Sequence, residues 1–283
     1  MFQGRDYRSI SNLLKNDTHG GFISQTGYAS FFISVGLGAL YSFRKIFSSR
    51  IKLYTLGAFF FSALLITQKR NPLIMLVITM LIVYYIEGEG SQRFSRFFYI
   101  ILAMVGIYIG LAFLSFINVN VPGADKVYET MNSLVSGSGV DDTGRTQLYG
   151  QAFLFFKEHP IIGIGWTNFK NLFVLRRTHV HNIYLQLLCE TGISGFIVFV
   201  AFFIFNLRRS CKIIKNWTGE KTEISYGWLR FSLFIQVFFL LFGITENPLY
   251  DTEHATFYFM AIGIAEIISI NVIRNSKLQK SDT

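Results

Sequence analysis

Apolar residues gather in runs of about 20, separated by short polar segments, and this is the length a helix needs to cross roughly 30 Å of hydrocarbon. The runs fall at residues 22–43, 53–68, 72–87, 97–118, 184–206, 228–245 and 255–273. Pro72 stands where the third run begins, a position that tolerates proline because the first helical N–H has no partner. Backbone in lipid must satisfy its own hydrogen bonds, which leaves helices or closed barrels. The stretch from Leu73 to Ile86 shows none of the strict alternation a barrel strand requires. The pattern therefore predicts an all-α, polytopic transmembrane bundle of about seven spans. It divides into a four-span region at 1–118, one long loop at 119–183 and a three-span region at 184–283.

Composition agrees. Of 283 residues, 51% are hydrophobic and only 15% charged, with 31 Phe and four Pro; soluble domains carry about a quarter charged residues. Charge orients the bundle. With the first span running inward, the inner segments hold fourteen Lys and Arg against five in the outer short segments, and the outer loop at 246–254 holds none. Basic residues concentrate on the cytoplasmic side, so the long loop and the N-terminal twenty residues are expected outside a cytoplasmic (inner) membrane. No signal peptide precedes that polar N-terminus, and the chain reads as the C-terminal portion of a longer membrane protein. The net charge of +9 is a matter of loop distribution and implies no nucleic-acid partner. Cys189 lies in an apolar span and Cys211 in a basic loop, so no disulfide joins them, and no metal-ligand spacing is present.

Within the long loop, Ser136–Gly139 has no periodicity. Asp142 and Thr143 are N-cap candidates for a helix that Pro160 stops. Leu148, Ala152, Phe155 and Phe156 share one face of it, which suits a helix lying in the membrane interface. Gly163-Ile164-Gly165-Trp166 reads as a turn with Trp166 as an interfacial anchor, followed by Arg176, Arg177, His179 and His181. Arg145 alone is by default a solvated helix residue. Arg176 and Arg177 suit lipid headgroups. His179 and His181 lie two apart, off a common helix face, which argues against a shared metal. Arg70 ends a tight hairpin at the outer boundary, where charge is disfavoured; a functional site and a headgroup contact are both open there. Glu190 lies about two turns into the fifth span, near Gly192 and Gly195, with a structural hydrogen bond as good a reading as catalysis. Glu246, at the outer end of the sixth span, is equally open.

Taken together, Thr143-Gly144-Arg145-Thr146-Gln147-Leu148-Tyr149, Glu158-His159-Pro160-Ile161-Ile162-Gly163-Ile164-Gly165, His181-Asn182-Ile183-Tyr184-Leu185 and Glu190-Thr191-Gly192-Ile193-Ser194-Gly195 resemble the central motif of the O-antigen ligase and polysaccharide polymerase superfamily. The resemblance covers roughly residues 50 to 200. The family often has Ser-Arg where this chain has Lys69-Arg70, and its members usually have ten or more spans. The resemblance implies transfer of a glycan from an undecaprenyl diphosphate carrier to an acceptor hydroxyl at the outer membrane face, with no cofactor or metal. It implies Arg70 and Arg145 as the diphosphate's bidentate donors and as stabilisers of the leaving charge. It implies His181 as general base; Glu190, and Glu246 outside the matching stretch, are candidate supporting residues. Its partners would be the undecaprenyl-diphosphate-linked glycan, membrane lipids and other polysaccharide-assembly proteins.

The low-complexity, Phe-rich composition favours polymerisation of repeat units into capsule, O-antigen or exopolysaccharide over ligation to a lipid or protein. A transporter or flippase of lipid-linked sugars would place ionisable groups or broken helices near the bilayer midplane, whereas the charges singled out here cluster at the outer boundary. A purely structural membrane subunit would leave Arg70, Arg145 and His181 mutationally silent.

Overall fold

The computed structural model describes residues 26–67, 69–88, 145–172, 178–217 and 219–281, with single positions at 92, 95, 96, 98, 99, 102 and 106. The N-terminal segment, most of the span expected at 97–118, the loop at 119–144 and the pair Arg176-Arg177 lie outside the described residues, as does the side chain of Arg70. Among the described residues every regular element is a helix: α1 (Thr26–Phe43), α2 (Arg50–Ile66), α3 (Arg70–Ile86), α4 (Arg145–Glu158), α5 (Phe169–Leu172), α6 (Ile183–Lys215), α7 (Ile224–Phe242) and α8 (Thr252–Ser281).

The centre of the bundle is α7. Apart from Arg230, Ser232 and Gln236 its sequence carries apolar residues on every face, and a helix of that kind is buried. Leu229, Phe231, Leu233, Phe234, Ile235, Val237, Phe238 and Phe242 are buried in the main core, and α1, α3, α6 and α8 pack around the helix. By contrast, α2 packs along α1 through Leu53 and Leu64 and leaves Ile51, Tyr54, Phe59 and Ile66 exposed, an apolar outer face suited to lipid. Among the described residues three helices are long and apolar enough to cross a membrane, at Ile183–Lys215, Ile224–Phe242 and Thr252–Ile270; Gly27–Phe43 and Asn71–Ile86 are apolar but shorter. This is a multi-pass membrane protein.

One polar cluster inside the bundle has no counterpart in the sequence reading. Arg230, on the central helix, is 1% exposed and donates to the Glu87 carboxylate at the end of α3 and to the Ser42 carbonyl of α1. Arg44 donates to the other Glu87 oxygen at 3.0 Å. An arginine in an apolar span is tolerable only when its charge is paired, and here one carboxylate joins the ends of three helices.

The fifth expected span is not one continuous helix. Gly192 has φ 63° and ψ −171°, which splits α6 into a short N-terminal part and a longer C-terminal one. The break strands backbone groups that lipid cannot solvate. The turn after α4 satisfies them: Ile164 N and Gly165 N donate to the carbonyls of Cys189 (3.0 Å) and Glu190 (2.9 Å), while Ile193 N and Ser194 N donate to those of Pro160 (2.8 Å) and Ile161 (3.3 Å). The two strands of this junction touch backbone to backbone. A Cβ on Gly163, at φ +70°, would lie 2.3 Å from the Glu190 carbonyl carbon, and one on Gly192 would lie 2.3 Å from the Ile161 oxygen. Glycine is required at both for space as well as for dihedral angle.

The helix expected in the interface packs on protein along one face. Leu148 and Ala152 of α4 are buried with Phe169, Val180 and Cys189, so its apolar face covers the N-terminal part of α6. Phe153 and Leu154 on the other side stay exposed.

Candidate functional site

At the end of the bundle where α6 begins, three segments converge: the first turn of α4, the residues before α6 and the residues after α7. Arg145 opens α4. His181 precedes the N-cap of α6 and has φ 57°, a left-handed conformation that non-glycine residues seldom adopt. Such strain persists only where neighbours over-determine it, and here they do. On one side the buried Gln186 accepts from Val180 N at 3.0 Å. On the other, Asn182 caps α6 by accepting from Tyr184 N (3.0 Å) and Leu185 N (2.9 Å). Its amide also donates to the Ile244 carbonyl at 3.0 Å, and Ile183 N donates to the Gly243 carbonyl at 2.8 Å. The His-Asn pair is thus a strained histidine followed by the residue that ties it to the end of α7.

Glu246 stands between Arg145 and His181. Its Oε2 lies 2.9 Å from His181 Nδ1 and its Oε1 lies 3.5 Å from Arg145 Nη2. The three side chains are 37%, 30% and 29% exposed for His181, Glu246 and Arg145, open enough for a ligand to reach. With Nδ1 engaged by the carboxylate, Nε2 is the nitrogen left to accept a proton. Thr178 Oγ1 lies 3.3 Å from it. The long Arg145–Glu246 contact leaves most of the guanidinium fork free for a second anion.

Glu190, two turns further in, has a different environment. It is 1% exposed and its carboxylate accepts four hydrogen bonds: from Thr167 N (2.8 Å) and Tyr250 Oη (2.6 Å) at Oε2, and from Phe169 N (3.1 Å) and Gln186 Nε2 (3.1 Å) at Oε1. That set holds the Gly-x-Gly turn, α5 and the loop after α7 on one group. Tyr250 also stacks on Trp166 at 4.4 Å, so Trp166, expected as an interfacial anchor, also serves as packing within the loop layer. Burial, reinforced by the Glu190 charge, pushes the Tyr250 hydroxyl far up from its usual range, and it acts as a donor only.

His179 has contacts of its own, apart from the Glu246 cluster. Its Nδ1 lies 2.9 Å from Gln186 Nε2 and its ring lies 5.5 Å from that of Tyr250. Burial, followed by the charge of Lys170, lowers its pKa from the usual histidine value. Among the described residues no three His, Cys, Asp or Glu side chains gather so as to hold a metal ion.

Of the residues singled out from sequence, Arg145, His181 and Glu246 come together, Glu190 lies in the adjoining network, and Arg70 opens α3. Sequence reasoning passed over Gln186, Asn247 and Tyr250. A signal was present for the first: Asn182, Gln186 and Glu190 recur every four residues and so form a polar stripe on an otherwise apolar helix. Asn247, which donates to Gln186 Oε1, and Tyr250 sit in an irregular segment without periodicity.

A family model described as O-antigen ligase matches residues 55–200. No curated protein matches the chain.

Proposed function

The chain belongs to the O-antigen ligase family, and from that premise we propose that it polymerises undecaprenyl-diphosphate-linked oligosaccharide repeat units into a surface polysaccharide on the outer face of the cytoplasmic membrane. The observation that carries the proposal is the Arg145–Glu246–His181 cluster at the outer end of the bundle.

The chemistry follows from that arrangement. An acceptor sugar hydroxyl takes the place of Thr178 beside His181 Nε2 and gives up its proton there. Nδ1–H remains donated to Glu246, which stabilises the imidazolium as it forms. The hydroxyl oxygen attacks the anomeric carbon of the donor glycan, the C–O bond to the carrier breaks, and its electron pair leaves on undecaprenyl diphosphate. Arg145 turns its free N–H groups to that diphosphate, with Arg70 as a second cation, and offsets the charge developing on the leaving oxygen. No metal enters this scheme. The carrier's polyprenyl chain stays in the bilayer, which is why the site lies where loop meets membrane.

The acceptor is taken to be a second lipid-linked repeat unit, on the low-complexity, Phe-rich composition. The break in α6 does not favour a transporter, because the groups it frees are bonded to the turn after α4 rather than left for a substrate. The test is the purified protein in liposomes with a lipid-linked repeat unit as sole substrate. A ladder of products several units long supports polymerisation. A single transfer, made only when a lipid-core or protein acceptor is added, would assign ligation instead.

A further inference from the structure

At the far end of α6 from His181, a groove of about 600 Å³ opens between α6 and α8, lined by Ile204, Phe205, Arg208, Arg209, Lys212 and Ser269 among others. Its lining is graded. Residues four apart stack along a helix, about 6 Å per step, so α6 lays down two adjacent columns, Ile204–Arg208–Lys212 and Phe205–Arg209–Ile213. Toward the middle of the span the wall is apolar; one turn further it is cationic. Arg209 donates to Glu266 of α8 at 2.6 Å and is neutralised by it. Arg208 and Lys212 are exposed and have no ion-pair or hydrogen-bond partner among the described residues.

We propose that this groove is a binding site for an anionic phospholipid of the cytoplasmic leaflet, its acyl chain against Ile204 and Phe205 and its phosphate between Arg208 and Lys212. The general bias of Lys and Arg toward the inner side explains basic residues in short loops. It does not explain two unpaired cations inside a cavity whose deeper wall is apolar. Depth and charge together match a phospholipid, with hydrocarbon below and phosphate above. A free anion would use only the cationic step, and a zwitterionic lipid would bring a compensating positive charge to it.

The experiment is native mass spectrometry on the purified full chain in detergent, titrated separately with phosphatidylglycerol, phosphatidylethanolamine and inorganic phosphate. Phosphatidylglycerol is expected to bind about tenfold or more tightly than phosphatidylethanolamine. Each basic residue near an anionic headgroup contributes on the order of fivefold, so R208A/K212A should weaken phosphatidylglycerol by about 30-fold. K215A, one turn on and outside the groove, should change it by less than about twofold. Should the alanine pair not elute as a monodisperse protein, R208Q/K212Q keeps side-chain bulk and tests the same charge. Equal binding of the two lipids, an equal loss in K215A, or inorganic phosphate competing as well as phosphatidylglycerol would overturn the assignment. The readout is independent of glycan transfer, so its failure leaves the outer site untouched.

Discussion

At the scale of single residues, three carboxylates in similar sequence settings have three fates. Glu87 is buried between two arginines, Glu190 is saturated by four donors, and Glu246 is part-exposed between a histidine and an arginine. Only the last has lone pairs and neighbours available to a reaction. Glu246→Gln should therefore lower the rate of transfer by on the order of 10²-fold through kcat, because the imidazolium loses its counter-charge as it forms, while Glu246→Asp should recover part of it. Steady-state kinetics on lipid-linked substrate separates this from an effect on KM. His179 gives a stability prediction. Its pKa is depressed in the folded protein, so between that value and the unfolded histidine value the unfolded chain binds more protons. The stability it contributes is then present above about pH 6.5 and is lost as the pH falls through the folded pKa. Thermal unfolding in detergent should show a fall in Tm between about pH 7 and 5 that is smaller in His179→Gln.

At the scale of elements, the sequence carried the helices and missed their interruptions. Runs of apolar residues place α1, α2, α3 and α7, and the start of α8, to within a few residues because burial in lipid demands a fixed length. The same signal runs straight through Gly192, where apolarity is continuous and the dihedral break leaves no compositional trace beyond the glycine itself. The interlock of Gly163 with Gly192 depends on contacts between segments some 30 residues apart, which no local pattern encodes. It does explain why a Gly-x-Gly turn and a glycine-rich helix occur together. Alanine at either position must move backbone and adopt an unfavourable φ, at a cost of at least about 1–3 kcal/mol. A lowered Tm for both G163A and G192A, with the double variant less than additive, is the expected outcome; an unchanged Tm for either would remove the interlock from the account. The grouping of Arg145 with His181 was legible only through the family resemblance, and the bridging by Glu246 only through tertiary structure.

At the scale of the whole molecule, the central helix α7 carries the only charge among its buried residues at Arg230, and Glu87 ties it to α1 and α3. Arg230→Met strands Glu87 against Arg44 alone and should cost about 3–5 kcal/mol, whereas Arg230→Met combined with Glu87→Leu removes both buried charges and should recover much of that. Guided by hydropathy, one would read α7 simply as a span; its role as the hub follows from being apolar on every face. Around this hub the two ends of the bundle are specialised. One end gathers Arg145, His181 and Glu246 from segments far apart in sequence, while the other end carries the basic groove of α6.

The central claim is that the Arg145–Glu246–His181 cluster performs glycan transfer. Its most direct test is the liposome assay with His181→Ala and Arg145→Ala, each checked for monodisperse, inserted protein. Each variant is expected to insert normally yet lose product formation by about 10²-fold or more. Wild-type product from both variants would contradict it.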